Sequence, residues 1–535
     1  MLLPQDTLIR DVRVIDGTGA PWFMADVRLS GGRIGAVGPK QKIADAAVVE
    51  GEGRYLAPGF IDAHCHDDLI TLREPARPEK ILQGVTTVVV GNCSFSLYPA
   101  TNGSKDLLRQ HFSSLLGETQ AEEIFEDFSA YRQALHDRGA ALNVVSLVGH
   151  AALRLATMGF DRRPASAHER RAMQDLLATQ LAQGSAGLSL GLVYPPSAYA
   201  DEAELIALAE TVRDHGKILA AHIRSYEAGL LASIEEFIAI LRAAGCAGLL
   251  SHLQSAGRPN WGAIPKALTK LETARGDGVD VSFDMYPYPA GSSYILQLLP
   301  PDAQAGGHEA LLGRLRDPGA RARLRQWVEE GSGDAHIQSK VSLIGWENVR
   351  ISAISSAKLK HLEGRNLVEA ASAMRLEPFD LMAQLIEEDR GQTGIVLFQL
   401  DEADLRCACT HRLHMFGSDG LPRPGTKPHP RAYGTFPRVL GPLTRDAAWF
   451  SLEDGVRRMT SLAAQRFGLA DRGLIRPGMM ADLVLFDADI ADHATFDDPT
   501  RLPSGLSHVW VAGIPVVFDG RPSGQLPGRF IGAPI

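Results

Sequence analysis

Pro58-Gly59-Phe60-Ile61-Asp62-Ala63-His64-Cys65-His66 is an apolar run that ends in two histidines two positions apart. In a strand, residues i and i+2 face the same side, so both imidazoles can address one metal ion from the strand's C-terminal end. Cys65, between them, points away. Two half-exposed histidines in a turn would leave the same trace, so the reading depends on partners elsewhere in the chain.

Those partners recur at the ends of other apolar runs. Val88-Val89-Val90-Gly91-Asn92-Cys93 sets a thiol after a β run, and a thiolate is a strong ligand for Zn²⁺. Leu219-Ala220-Ala221-His222 and Leu249-Leu250-Ser251-His252 each end in a histidine, one βα unit apart. Met415-Phe416-Gly417-Ser418-Asp419-Gly420 closes the last run with a carboxylate among small residues. Singly, each is an ordinary buried thiol, satisfied histidine or turn aspartate. Jointly they are five soft or imidazole ligands and one carboxylate, all at C-terminal strand ends, where βα barrels build active sites. The implied chemistry is a zinc site beside a carboxylate, able to deprotonate water and polarise a carbonyl, and so a hydrolase.

Working outward, short apolar strands at 59–63, 86–91, 142–148, 186–190, 218–222, 248–252, 279–284 and 414–418 alternate with amphipathic helical segments, the pattern of a parallel α/β barrel. Helices are expected at 168–183 after the cap Ser166, at 201–214 with Glu204 completing a capping box, and at 230–244. About 130 residues separate the seventh and eighth strands, so that interval holds an insertion: an Arg-rich helix at 311–330 and further strand candidates at 341–346, 349–352 and 394–398. Both chain ends read as short strands with glycine turns, able to pair into one β module. The expected division is residues 1–57 and 475–535 as the two halves of that module, 58–288 and 346–474 as barrel, and 289–345 as a small inserted domain.

Composition bounds the alternatives. Of 535 residues, 45% are hydrophobic and 22% charged, enough for a large core. Fifty-four basic against 63 acidic residues give a net charge of −9 without a long basic cluster, which excludes nucleic acid and anionic membrane as partners. No apolar run reaches the roughly 20 residues needed to cross a bilayer. The start, Met1 to Asp6, shows no basic-then-apolar leader, so a cytoplasmic location is the default expectation. Five cysteines are too few and odd in number for a disulfide framework, and are expected to be reduced. A small-molecule amide is the expected partner, and the composition is compatible with a homo-oligomer.

Two other motifs are set aside. Cys407-Ala408-Cys409, with His411 and His414 nearby, has ligand composition, but spacing of two on a helix splits the thiols between faces. Gly187-Leu188-Ser189-Leu190-Gly191 matches a serine nucleophile elbow by letter, yet Pro195-Pro196 follows where the elbow needs a helix.

The ordered motifs His64-Cys65-His66, Gly91-Asn92-Cys93, His222-Ile223-Arg224-Ser225, Ser251-His252 and Gly417-Ser418-Asp419-Gly420 resemble those of the amidohydrolase superfamily, and more narrowly of N-acyl-D-amino-acid deacylases (D-aminoacylases). The resemblance runs from about residue 7 to about residue 530. It implies a metal-dependent (β/α)8 TIM-like barrel, a small β-sandwich made by both termini and an inserted cap subdomain. It further implies that Cys93, His222 and His252 hold one zinc ion tightly, and that His64 and His66, with Cys93 and Asp419, hold a second, weaker one. Two positions depart from the family pattern. Gln254 stands where a lysine commonly holds the substrate's α-carboxylate, and Tyr226 where an acidic residue is frequent.

The expected activity is zinc-dependent hydrolysis of an N-acyl-D-amino acid by metal-activated water, with Asp419 as general base and then acid. His150, Tyr194, Arg224, Gln254 and Tyr286 are the expected substrate contacts. A neutral amide, cyclic amide or carbamate is the alternative substrate, because Gln254 carries no charge. A non-catalytic barrel is the least favoured reading, since all six metal-site positions are filled.

Overall fold

The computed structural model describes residues 6–41, 46–101, 103–331 and 337–532; residues 1–5, on which the expectation of no leader rests, lie outside them. Eight parallel strands form the barrel: β1 (Phe60–Asp62), β2 (Val85–Val90), β3 (Asn143–Ser146, continued by Val148–Gly149), β4 (Gly187–Gly191), β5 (Ile218–His222), β6 (Ala247–Leu250), β7 (Val281–Met285) and β8 (His414–Phe416). All eight fall where the sequence puts them. Apart from the edge residue Ala247 they are buried throughout, as strands covered on both faces must be.

The register runs in sequence order from β1 to β8. The first and last strands close the ring just beyond their ends. Cys65 bridges Gly420 in parallel, and Asp419 N donates to His64 O at 2.7 Å. A buried charged knot fastens that seam: Lys80 Nζ contacts Asp62 Oδ2 at 2.5 Å and Ser418 Oγ at 2.9 Å, while Ser418 N donates to Asp62 Oδ1 at 2.7 Å. Removing one member would strand the others in a dry interior, so the knot fixes the strand ends that carry His64 and Asp419. Gly417 is required here, because a Cβ on it would lie 2.5 Å from His64 Cβ.

Both chain ends meet in one nine-stranded sheet. Tyr55–Pro58 pairs with Thr7–Val14 on one side and with Leu483–Ala491 on the other. The sheet has its own core of Ile9, Val12, Val27, Leu56, Leu483 and Trp510. No helix among the described residues is long and apolar enough to cross a membrane.

The inserted interval contains a three-stranded antiparallel sheet in which Gly394–Leu397 lies between Gly291–Tyr294 and Val349–Ala353. The boundary expected at 345/346 cuts this sheet, so pairing carries the inserted unit on to Leu397. Residues 341–346, expected as a strand, are instead the helix Lys340–Ile344 and a following turn. Ser339 accepts from Ser342 N and starts the helix, a local cap that outweighs the alternating apolar pattern. The single helix expected at 311–330 is two, His308–Arg316 and Pro318–Glu330, broken at Asp317 by the proline that follows. Their arginines serve the fold: Arg321 and Arg325 both reach Asp380 and lie over the Phe379 ring.

The capping box expected with Glu204 forms at the other helix start, where only a cap was expected. Ser166 and Glu169 form one at Ala167–Ala182. Asp201 accepts from Glu204 N at Glu202–Asp214, but the Glu204 side chain turns inward to His150 and Arg154. Leu230–Ala244 is helical as expected.

Candidate metal centre

The strand-end histidines, thiol and carboxylate converge above the barrel's C-terminal face. Cys93 Sγ lies 3.3 Å from His64 Nε2 and 3.4 Å from His252 Nε2, and its thiol also interacts with the imidazoles of His66 and His222. His222 stacks edge-on against His252 with ring centroids 4.5 Å apart. Asp419 Oδ1 is 3.5 Å from His64 Nε2 and 3.2 Å from His66 Nε2. Two groups thus have donor atoms close enough to share an ion: His64, Cys93 and His252, and His64, His66 and Asp419. His64 belongs to both, and His222 reaches the cluster through Cys93 and His252.

Local backbone geometry aims these groups. Cys93, Ser94, His252 and Asp419 all adopt positive φ (52°, 76°, 35° and 47°), a conformation that costs of order 1–3 kcal/mol per non-glycine residue and that persists where the surroundings over-determine it. Gly91 permits the turn before Cys93, since its φ is 78° and a Cβ there would meet Leu147 O at 2.1 Å. Ser189 donates to Gly91 O and accepts from Ser94 N at 3.0 Å, so it braces the same turn and is no nucleophile.

Electrostatics favour the forms a cation takes. Burial would push the Cys93 thiol up, but His64 and His252 hold it well below its ordinary value, as a thiolate. Burial lowers His222 to about 4, with His252 adding to the effect, so its imidazole is neutral. Burial opposes charge on Asp419, yet Arg431 and then His66 keep it well below the usual carboxylate range. The Arg431 guanidinium contacts Asp419 Oδ2 at 2.9 Å.

Asp284, at the end of β7, is a site residue the expectations did not include. Its Oδ2 is 3.2 Å from His64 Nδ1 and its Oδ1 accepts from His252 N at 2.9 Å, so one carboxylate orients two donors. Burial alone would lower His64, but Asp284 and Cys93 raise it well above normal. Arg431, on the helix Arg431–Arg438 after β8, is the second addition. It is fully buried, and its Nε and Nη1 have no hydrogen-bond partner among the described residues.

The donor set fits zinc. Bonds of about 2.0–2.3 Å at tetrahedral angles set donors roughly 3.3–3.6 Å apart, which matches the spacings around Cys93. The Nδ1 atoms of His66, His222 and His252 are buried without protein partners.

A cavity of about 40 Å³ opens over the cluster, bordered by Tyr194, Gln254, Tyr286, Ser293, Gln399 and Lys340. Three of the five residues expected to contact substrate, Tyr194, Gln254 and Tyr286, border it. The other two are engaged elsewhere: His150 is sealed in the core against Glu204 at 2.7 Å, and Arg224 is spent on Glu236 and the carbonyls of Ala198 and Ala200. The helix Glu402–Thr410 separates Cys407 from Cys409 as expected, and neither joins a metal-holding group among the described residues.

A model of the amidohydrolase family matches residues 47–284 and 367–517, leaving out most of the inserted unit. The chain is 37% identical over 527 residues to an N-acyl-D-glutamate deacylase of Alcaligenes xylosoxydans xylosoxydans, covering 98% of this chain and 96% of that protein. It superposes with a TM-score of 0.82 and 35% identity on the crystal structure of an N-acyl-D-glutamate deacylase from Bordetella bronchiseptica, complexed with zinc and a phosphonate mimic of the tetrahedral intermediate; 99% of this chain and 100% of that one are covered. A D-aminoacylase with a binuclear metal centre, described by one-metal activation and second-metal attenuation, matches with the same score, identity and coverage.

Proposed function

This chain belongs to the amidohydrolase family, and from that premise we propose that it is a zinc-dependent deacylase, hydrolysing N-acyl-D-amino acids to a carboxylate and a D-amino acid. The observation that carries the reading is the thiolate of Cys93 among four imidazoles, with one carboxylate, Asp419, beside them. Cys93, His222 and His252 would hold one ion tightly, and His64, His66 and Asp419, with Cys93 shared between the two, a second more weakly, in line with the two-metal relative. When bound, zinc polarises the amide carbonyl and makes a water acidic enough to lose its proton near neutral pH.

Asp419 supplies the proton traffic. Its Oδ2 is tied to Arg431, and its Oδ1, which faces His64 and His66 at the metal position, is the oxygen placed to take the proton of the attacking water and return it to the amide nitrogen as the C–N bond breaks. The Arg431 guanidinium, buried against Asp419, lies over the Tyr286 ring at 4.3 Å and fixes that ring at the cavity's border. Tyr286 OH donates to Gln254 Oε1 at 2.9 Å, which frees the Gln254 amide N–H groups to donate to a substrate carboxylate. Five free thiols support a cytoplasmic setting.

The test is zinc analysis coupled to a stereodefined panel of N-acetyl-D- and N-acetyl-L-amino acids and their carboxamides. Zinc-dependent turnover of the D acids is expected. A preference for the neutral carboxamides would overturn the carboxylate assignment and favour the neutral-amide alternative that Gln254 raises.

Asp284→Asn keeps the shape but removes the charge that orients His64. Zinc affinity is expected to fall about 10–100-fold, measured by competition with a chelator. An unchanged affinity would show that Asp284 only fills space.

A further inference from the structure

The strand-six position that borders the cavity is Gln254, which brings no charge, yet a cation reaches the same cavity from another element. Lys340 begins the helix Lys340–Ile344 of the inserted unit and lines the metal cavity together with Gln254, Tyr194 and His222. It is placed firmly. Ser339 Oγ accepts from Ser342 N at 3.2 Å and donates to Val328 O at 2.5 Å, and Gln338 Oε1 accepts from Ala228 N at 3.1 Å, stitching this stretch to the loop after β5. The Lys340 ammonium meets Glu227 Oε1 at 2.7 Å, with both side chains mostly buried. Glu227 is itself fixed, since its other oxygen accepts from Ser225 Oγ at 3.1 Å and Tyr226 N at 3.2 Å.

An ammonium has three donors, and Glu227 is the one hydrogen-bond acceptor recorded for Lys340 among the described residues. On the cavity side it therefore has donors to offer an anion. Arg431, the other buried cation beside the cluster, is ion-paired with Asp419 at 2.9 Å.

We propose that Lys340, carried in by the inserted unit and held by Glu227, is a specificity-determining residue that receives a carboxylate of the substrate in place of the charge Gln254 lacks. The proposal rests on the deacylase reading. The carboxylate has two sources, the main chain of the amino acid or an acidic side chain, and the substrates separate them.

The experiment compares Lys340→Met with the unaltered zinc enzyme on N-acetyl-D-alanine, N-acetyl-D-glutamate and N-acetyl-D-alaninamide. Loss of a charge-assisted hydrogen bond is expected to raise KM about tenfold or more for the acids with kcat little changed. It should leave the neutral amide unaffected. A rise for both acids assigns the main-chain carboxylate, and a rise for the glutamate alone assigns the side chain. Gln254→Lys in the Lys340→Met background, which returns a cation to the cavity, is expected to recover affinity for the acids. Unchanged KM for both acids, or an equal loss for acid and amide, overturns the proposal. Failure of the unaltered enzyme on every N-acyl-D-amino acid defeats the deacylase reading itself and is read separately from the variant.

Discussion

Asp419→Asn is expected to lower kcat by about 10²–10⁴-fold, the usual contribution of a positioned proton carrier, while the tightly held zinc stays in place. The substitution is nearly isosteric, so the seam with His64 survives: that contact uses Asp419 N, which the variant keeps. What is lost is an oxygen able to take a proton. In the native centre Arg431 and His66 hold the carboxylate ionised despite full burial. An amide in its place can present an oxygen or an N–H to Oδ1's surroundings but has no basic site at neutral pH. The tight group of Cys93, His222 and His252 does not include Asp419, whereas the second group, with His64 and His66, does. Metal analysis should therefore find the first ion retained and the second depleted, with single-turnover kinetics showing the chemical step slowed. Native-like turnover in the variant would falsify the role given to Asp419. Loss of all zinc would instead make Asp419 chiefly a ligand.

The barrel was legible because its strands are short, apolar and buried on both faces, so nothing but turn residues interrupts each run. The donors were legible because each ends such a run, and a barrel gathers its strand ends at one face. Asp284 shares that position, following the run Val279 to Phe283, and its strand-end location was the available signal. Its task, orienting His64 and His252, is visible only when three strands stand side by side. Arg431 had no comparable signal. It opens a helix beyond β8, and only tertiary packing shows that its guanidinium is buried with two donors unpartnered among the described residues. Pattern also misled where a side chain serves a partner far along the chain. Glu204 has capping-box spacing from Asp201, but its carboxylate stabilises the buried pair of His150 and Arg154. His150, expected as a substrate contact, has its Nε2 engaged by that same carboxylate. The helix at Lys340 was hidden by alternation in Val341-Ser342-Leu343, which a three-residue window cannot tell from a strand.

Cys93→Ala is expected to yield a folded protein that loses nearly all its zinc on dialysis and has no measurable turnover. The thiolate is the hub of the cluster: it touches His64 and His252 directly and interacts with His66 and His222, so its removal takes away the one soft anionic donor. The remaining imidazoles would also lose the negative charge that keeps His64 and His66 basic, and zinc would have to be held by neutral donors at reduced affinity. Unfolding as the cause can be separated from ligand loss by a neighbouring control. Cys65 is also a fully buried thiol, and it lies between two of the histidines in sequence, but its Sγ turns away to Val89 O at 3.3 Å. Cys65→Ala removes a sulfur from the neighbouring strand end and opens a cavity of the same size, so it carries the packing cost without the metal cost. Zinc stoichiometry by elemental analysis, with far-ultraviolet circular dichroism for the fold, should show the metal lost in Cys93→Ala and kept in Cys65→Ala. If the two variants lose zinc alike, packing at these strand ends governs metal retention and Cys93 is not the ligand. If Cys93→Ala keeps its zinc, the centre is held by histidines alone, and the reading of the site as a thiolate-bridged pair of metal positions falls with it.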